Sequence, residues 1–253
     1  MTELEHLPPS EVESYLGAEW GNCTRCPLNE TRLGRPIFGK GNIDNPPIVF
    51  VGEAPGVQEE KKGEVFVGKT GTTLFDVLWM LDIDKDRHYY TNAVLCRPPD
   101  LENPKYNRQP MGGEVSACRE RLHKEIYHLN PLLVVALGAV AAKTLGGPSC
   151  TLKAYRGEVV NIKVPSEVKG DLTYPMLVTW HPAGVLRRID SRLPDNTLPP
   201  IDNFPKVFFS DDPYEQLVRD LAIAEGITQY VLAAYEGRKR VPEIVEELAV
   251  YLN

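Results

Sequence analysis

Two short runs, Ile48-Val49-Phe50-Val51 and Leu132-Leu133-Val134-Val135-Ala136-Leu137, are wholly apolar, and each ends in glycine, Gly52 and Gly138. A strand with one solvated face alternates apolar and polar residues. Uninterrupted runs of this length therefore read as strands buried on both faces, at the centre of a parallel sheet. Between them, Thr72–Leu81 and Glu114–Leu129 carry apolar residues at helical spacing, with Tyr89–Leu95 as another strand. Ala139–Leu145 reads as a helix, and Met176–Trp180 as a further strand that runs into His181-Pro182. This alternation predicts an α/β fold with three layers, α/β/α, around a central, mainly parallel four-stranded sheet. Ligands of such sheets bind beyond the carboxyl ends of the strands, so the loops after Val51, Leu95 and Trp180 are expected to converge on one crevice.

A chain of 253 residues, 42% hydrophobic and 25% charged, can bury the core of a single domain of this type. The reading divides it into an N-terminal helical extension over 1–22, a main domain over 23–225 and a C-terminal helical extension over 226–253. Helices are expected near Asp212–Ala224 and over Val241–Leu252, after a Pro-rich loop at Leu193–Pro205. No apolar run is long enough to cross a bilayer, and the N-terminal MTELEHLPPSE has neither a basic start nor an apolar signal core. A cytoplasmic protein is expected, with a nucleoid-associated or viral setting compatible, and the sequons at Asn22 and Asn29 then carry no meaning. The formal net charge of −7 argues against indiscriminate nucleic-acid binding. Arg187, Arg188 and Arg192, and Arg238-Lys239-Arg240, are local exceptions that solvation alone also explains.

In a reducing compartment five cysteines are metal ligands or bystanders rather than disulfides. Cys23-Thr24-Arg25-Cys26 is a C-x2-C pair, and Cys96 and Cys118 follow at long intervals. A thioredoxin-like role fails because no strand–helix unit surrounds the pair. Tetrahedral zinc prefers two such pairs, whereas thiolates from separate segments suit an iron–sulfur cluster, one sulfur per corner iron. Spacing leaves cluster, zinc and no metal open. Cys150 reads as a structural thiol. Gly63-Glu-Val-Phe-Val-Gly68-Lys69-Thr70 matches the phosphate-loop pattern, but VQEEKK precedes it where a buried strand is required, and bulky Val65, Phe66 and Val67 occupy the turn.

CTRCPLNETR at Cys23–Arg32, GEAPG at Gly52–Gly56, FVGKTG at Phe66–Gly71, TNAVLCRPP at Thr91–Pro99 and HPAGVLR at His181–Arg187 together resemble, in order, the iron–sulfur uracil-DNA glycosylases of family 4. The resemblance implies that family's fold and a [4Fe-4S] cluster on Cys23, Cys26, Cys96 and Cys118. It also implies hydrolytic excision of uracil from single- or double-stranded DNA, leaving an abasic site, by a monomer. Phe66 resembles the family's stacking residue, Asn92 its uracil reader and His181 the motif histidine that stabilises the departing base. Glu53 follows the first buried strand, where it can face the sugar and a water, with Glu59 a second candidate for activating water. Other uracil glycosylases place an aspartate where this chain has Ala54, in the substrate-binding turn. Val185 and Leu186 are candidates for a wedge that fills the space of the flipped base, with Arg187 and Arg188 on flanking phosphates.

The chain departs from the pattern in a long Cys96–Cys118 loop, which carries Tyr106, Arg108 and Met111, and in an insertion at Ile189–Phe204. Together with the acidity, these keep a second function open: a glycosylase-fold iron–sulfur protein that binds DNA or a repair partner with weak catalysis or none.

Overall fold

The computed structural model describes residues 16–32, 34–166, 170–189 and 211–236, apart from the side chains of 188–189 and 233–236. Its six strands are β1 (Lys40–Gly41), β2 (Ile48–Gly52), β3 (Tyr89–Asn92), β4 (Leu133–Leu137), β5 (Val159–Val164) and β6 (Leu172–Thr179), in the order β1-β3-β2-β4-β6-β5. The four expected strands, β3, β2, β4 and β6, are mutually parallel and adjacent. Two antiparallel strands extend them at the edges, which enlarges the sheet from four strands to six. Neither edge strand carries an apolar run. β1 has two residues, and β5 reads VVNIKV, with polar Asn161 and Lys163 exposed and only Ile162 and Val164 buried.

Every residue of β2 and β4 is buried, as two-sided covering requires. Ile48, Phe50, Leu133, Val135, Leu137 and Leu177 face one layer, formed by α2 (Lys69–Met80), α5 (Pro182–Ile189) and α6 (Pro213–Glu236). Val49, Val51, Val134, Ala136, Met176 and Val178 face the other, formed by α3 (Gly112–Leu129) and α4 (Ala139–Gly146). The period-2 alternation of a strand thus splits consecutive residues between two cores. At about 1.5–3 kcal/mol per buried side chain, the four apolar residues of β2 contribute on the order of 6–12 kcal/mol before chain entropy is subtracted.

α1 (Val57–Lys62) follows the turn after β2, over the VQEEKK segment that was expected not to be a strand. α6 reaches twelve residues beyond the anticipated Ala224, because Ile227 and Val231 continue the buried stripe of Leu217, Val218 and Leu221. The expected division after residue 225 consequently falls inside a continuous helix. Val241–Leu252 and the Pro-rich loop lie outside the described residues. Among those described, no helix is long and apolar enough to cross a membrane.

Candidate active site

The carboxyl ends of three parallel strands carry the candidate residues. Glu53 follows β2, Asn92 ends β3 and His181 lies two residues past β6. With Ala54, Glu59, Phe66 and Arg187 they line a cavity of about 370 Å3. The crevice anticipated from strand order is therefore present, and it gathers these predicted residues in one place.

Phe66 occupies the loop before α2 with a left-handed backbone, φ +54°, unusual for an aromatic residue. A Cβ at Gly71 would lie 1.9 Å from the Phe66 carbonyl oxygen, so only glycine allows the first turn of α2 to pass beneath that strained residue. Phe66 is 6% exposed, and its ring meets Tyr90 edge-on at 5.9 Å. Gly52 completes the seat, because a Cβ there would stand 2.3 Å from Asn92 Oδ1 and 3.0 Å from Phe66 Cζ. Ring and amide thus share one wall.

His181 sits against Gly138, whose φ of +91° and missing side chain leave room for the imidazole. Its Nδ1 accepts the Ala183 amide proton at 3.2 Å. That acceptor role places the proton of the neutral ring on Nε2. Burial, and then the charge of Arg187, hold the pKa down to about 4, so the ring is neutral at pH 7. Helix α6 fixes the strand end from behind. Asp220 accepts the Thr179 hydroxyl at 2.7 Å, and Gln216 accepts the Trp180 indole N–H at 2.8 Å.

The two acidic candidates differ. Burial raises the Glu53 carboxyl above the usual range, against the opposing charge of Arg187. Glu59 is 8% exposed, and its oxygens accept the amide protons of Gly56 at 3.1 Å and Gly68 at 2.8 Å. It fastens together the two loops that carry Ala54 and Phe66. The same bond occupies the Gly68 amide, a donor that a phosphate loop would need for its ligand.

The helix after His181 corrects one expectation. Val185 is fully buried in the sheet-facing core and presents no surface to a ligand, so it is not a wedge. It falls on the inward stripe of a helix that begins at Pro182, a favoured first helical position. Leu186 is partly exposed and Arg187 exposed, with Arg187 on the cavity wall. Arg188 belongs to the same helix, and its side chain lies outside the described set.

Two groups at the site carry no motif in the sequence, although Arg108 stands in the loop already noted as a departure. Asn107, Arg108 and Gln109, from the long loop between Cys96 and Cys118, line the cavity. The signal available was a polar Asn-Arg-Gln run held between two anchored cysteines. Arg121, with no exposure, donates to the carbonyls of Asn92 at 2.5 Å and Ala93 at 3.2 Å, to Thr91 Oγ1 at 3.2 Å and to Glu125 at 2.5 Å. Tyr89 donates to the other Glu125 oxygen at 3.0 Å. Arg121 and Glu125 sit four residues apart on the buried stripe of α3 with Leu122 and Ile126, and charge on an apolar stripe was the clue.

Cys96 and Cys118 are buried in a third, smaller core with Leu16, Trp20, Leu28, Val94 and Leu95, against which Cys23, Cys26 and Ala54 pack. This core therefore touches the cavity wall. Burial raises the Cys26 thiol and pushes Cys96 up to about 11, while Arg32 donates to Cys96 Sγ at 3.7 Å. Cys150 lies apart, in the core under α4. Among the described residues, no three His, Cys, Asp or Glu side chains meet closely enough to hold a single metal ion.

The three-layer fold places an aromatic ring, an amide and a neutral histidine in one crevice, a set with the shape and polarity to receive a flat, hydrogen-bonding ring. Residues 38–199 match the model of the uracil DNA glycosylase superfamily. The chain is 36% identical over 172 residues to the type-4 uracil-DNA glycosylase of Thermotoga maritima, covering 68% of this chain and 81% of that protein. It is 34% identical over 176 residues to the type-4 enzyme of Pyrobaculum aerophilum, covering 66% and 81%. It is 29% identical over 174 residues to a type-5 enzyme of the same organism, covering 55% and 73%. The chain belongs to the uracil-DNA glycosylase superfamily, on its type-4 side.

Proposed function

We propose that this chain excises uracil from DNA by hydrolysing the N-glycosidic bond, leaving an abasic site in an unbroken strand. The observation that carries the reading is the convergence of Phe66, Asn92 and neutral His181 on one cavity at the strand ends. The glycosidic bond is buried in a duplex, so the nucleotide is turned out into the cavity. Phe66 stacks on the base. The Asn92 amide accepts from uracil N3–H and donates to O4, a pattern that cytosine reverses.

Bond breaking leaves cationic character on the sugar and negative charge on the base. His181 donates from Nε2 to uracil O2 and supports the anion without becoming an imidazolium, which its depressed pKa disfavours. Glu53 is the carboxylate free to face the sugar and orient water, since both Glu59 oxygens are engaged by backbone amides. The role of Glu59 is then to hold the loops rather than to activate water. Partly exposed Leu186, with Arg187 and Arg188 near phosphates, completes the DNA contact.

The four cysteines fit a [4Fe-4S] cluster. All four thiols border one small core, and a cluster asks each thiolate to reach a different corner iron rather than a shared centre. When bound, the cluster supplies structural bracing to the loops after β2 and β3. The protein acts as a monomer in the cytoplasm.

Incubation with single- and double-stranded uracil DNA, followed by alkali, tests the reading. Strand breaks at uracil are expected, and each of His181→Ala and Asn92→Ala is expected to lower the rate by about 100-fold or more. DNA binding with no breaks would move the chain to a non-catalytic binding role. Iron analysis after anaerobic purification tests the cluster, with a colourless, zinc-loaded protein the contrary result.

A further inference from the structure

The long loop between Cys96 and Cys118 contains an ordered hairpin. Pro99 and Asn107 pair as an antiparallel bridge. The Asp100 amide donates to the Tyr106 carbonyl at 2.9 Å, and the Arg108 amide donates to the Pro98 carbonyl at 3.1 Å. The Asp100 carboxylate turns inward to accept the amides of Glu102 at 3.0 Å and Asn103 at 2.9 Å. Arg97, only 6% exposed, is the staple at the base. It donates to Asn107 Oδ1 at 2.6 Å, to Glu60 at 3.1 Å, to the Tyr106 carbonyl at 2.9 Å and to the Pro104 carbonyl.

This rigid frame holds apolar side chains out in solvent. Tyr106 is 66% exposed and Leu101 72% exposed, although both belong to a loop whose polar groups are tied down. The hairpin stands at the mouth of the cavity, because Asn107, Arg108 and Gln109, next in the chain after Tyr106, line its wall. The charge balance narrows the choice of partner. With a net charge of −7, long-range attraction to phosphate is limited, which favours contacts that do not depend on charge alongside the local arginines.

The geometry points to the Leu101–Tyr106 hairpin as a stacking platform for a base neighbouring the extruded nucleotide, with the Tyr106 ring as its principal contact. This rests on the uracil-DNA reading and extends it to a surface outside the cavity. Each base–aromatic stack is sequence-tolerant, and a frame already fixed loses little conformational freedom on binding.

The test measures Kd for single-stranded DNA carrying a non-cleavable 2′-fluoro-deoxyuridine, with 2-aminopurine placed beside it. Wild type is expected to quench the 2-aminopurine on binding. Tyr106→Ala is expected to raise Kd by about 5- to 100-fold and to abolish the quench, whereas Tyr106→Phe retains both. Far-ultraviolet circular dichroism and the thermal midpoint of Tyr106→Ala should match wild type, since the side chain is exposed. Equal Kd and equal quench in wild type and Tyr106→Ala would overturn the platform, and would do so even with uracil excision intact. Wild-type binding without excision would instead overturn the catalytic reading, leaving the Kd comparison to decide the platform. Absence of any DNA binding by the wild type would overturn both.

Discussion

His181 is a neutral imidazole, and its proton position follows from one bond: the Ala183 amide occupies Nδ1, which leaves the proton on Nε2. Protonation near pH 4 would require Nδ1 to give up that acceptor role, and excision is expected to fall on the acid side toward about pH 4, followed by a pH–rate profile. His88 is also buried, with its pKa held down to about 4. Both histidines take up a proton more readily when unfolded, near the ordinary value of 6.5. The stability each contributes is therefore full above that value and is lost progressively as pH falls toward about 4. His88→Phe is expected to flatten the decline of the urea midpoint between these pH values. Arg121 gives a second expectation. Arg121→Met strands Glu125 in the core and is expected to cost about 3–5 kcal/mol, read by urea unfolding. Arg121→Met with Glu125→Leu should recover much of that stability, yet leave the Asn92 carbonyl unheld and kcat on uracil DNA low.

Between elements, the joints are as constrained as the elements themselves. Gly71→Ala is expected to dislodge Phe66, because backbone stands in the way of the new methyl and cannot yield as a side chain would. Loss of kcat/KM by about 10-fold or more, with the sheet unchanged by circular dichroism, is the outcome to measure. Glu59→Ala frees two amides and is expected to cost about 1–3 kcal/mol. What was legible in the chain followed the physics of burial. β2 and β4 were plain because both faces are covered, and α2, α3 and α4 because their apolar residues keep one period. β1 and β5 were not, since a two-residue edge and a half-solvated strand leave little trace in composition. Glu53, Phe66, Asn92 and His181 could be singled out because each sits in a short motif at a strand end or loop. Arg121, Asp220 and Asn107 act through distant partners, and only the fold reveals those partners. Val185 misled because a short amphipathic helix puts neighbouring residues on opposite sides.

For the molecule as a whole, acidity sets the terms of DNA binding. With Arg187 and Arg188 as the proposed phosphate contacts, few counterions are released on association. The slope of log K against log salt on single-stranded uracil DNA is expected to be shallow, near −1 to −2, and a slope steeper than about −4 would show a phosphate-dominated interface instead. The sheet order carries a different consequence. β2 is the central strand, flanked by β3 and β4, yet β4 lies some eighty residues further along the chain. During synthesis at about 5–20 residues per second, β2 spends several seconds outside the ribosome with one long apolar edge uncovered. An unpaired apolar strand in that interval is prone to aggregation, and it is covered only after β4 has followed it out of the ribosome.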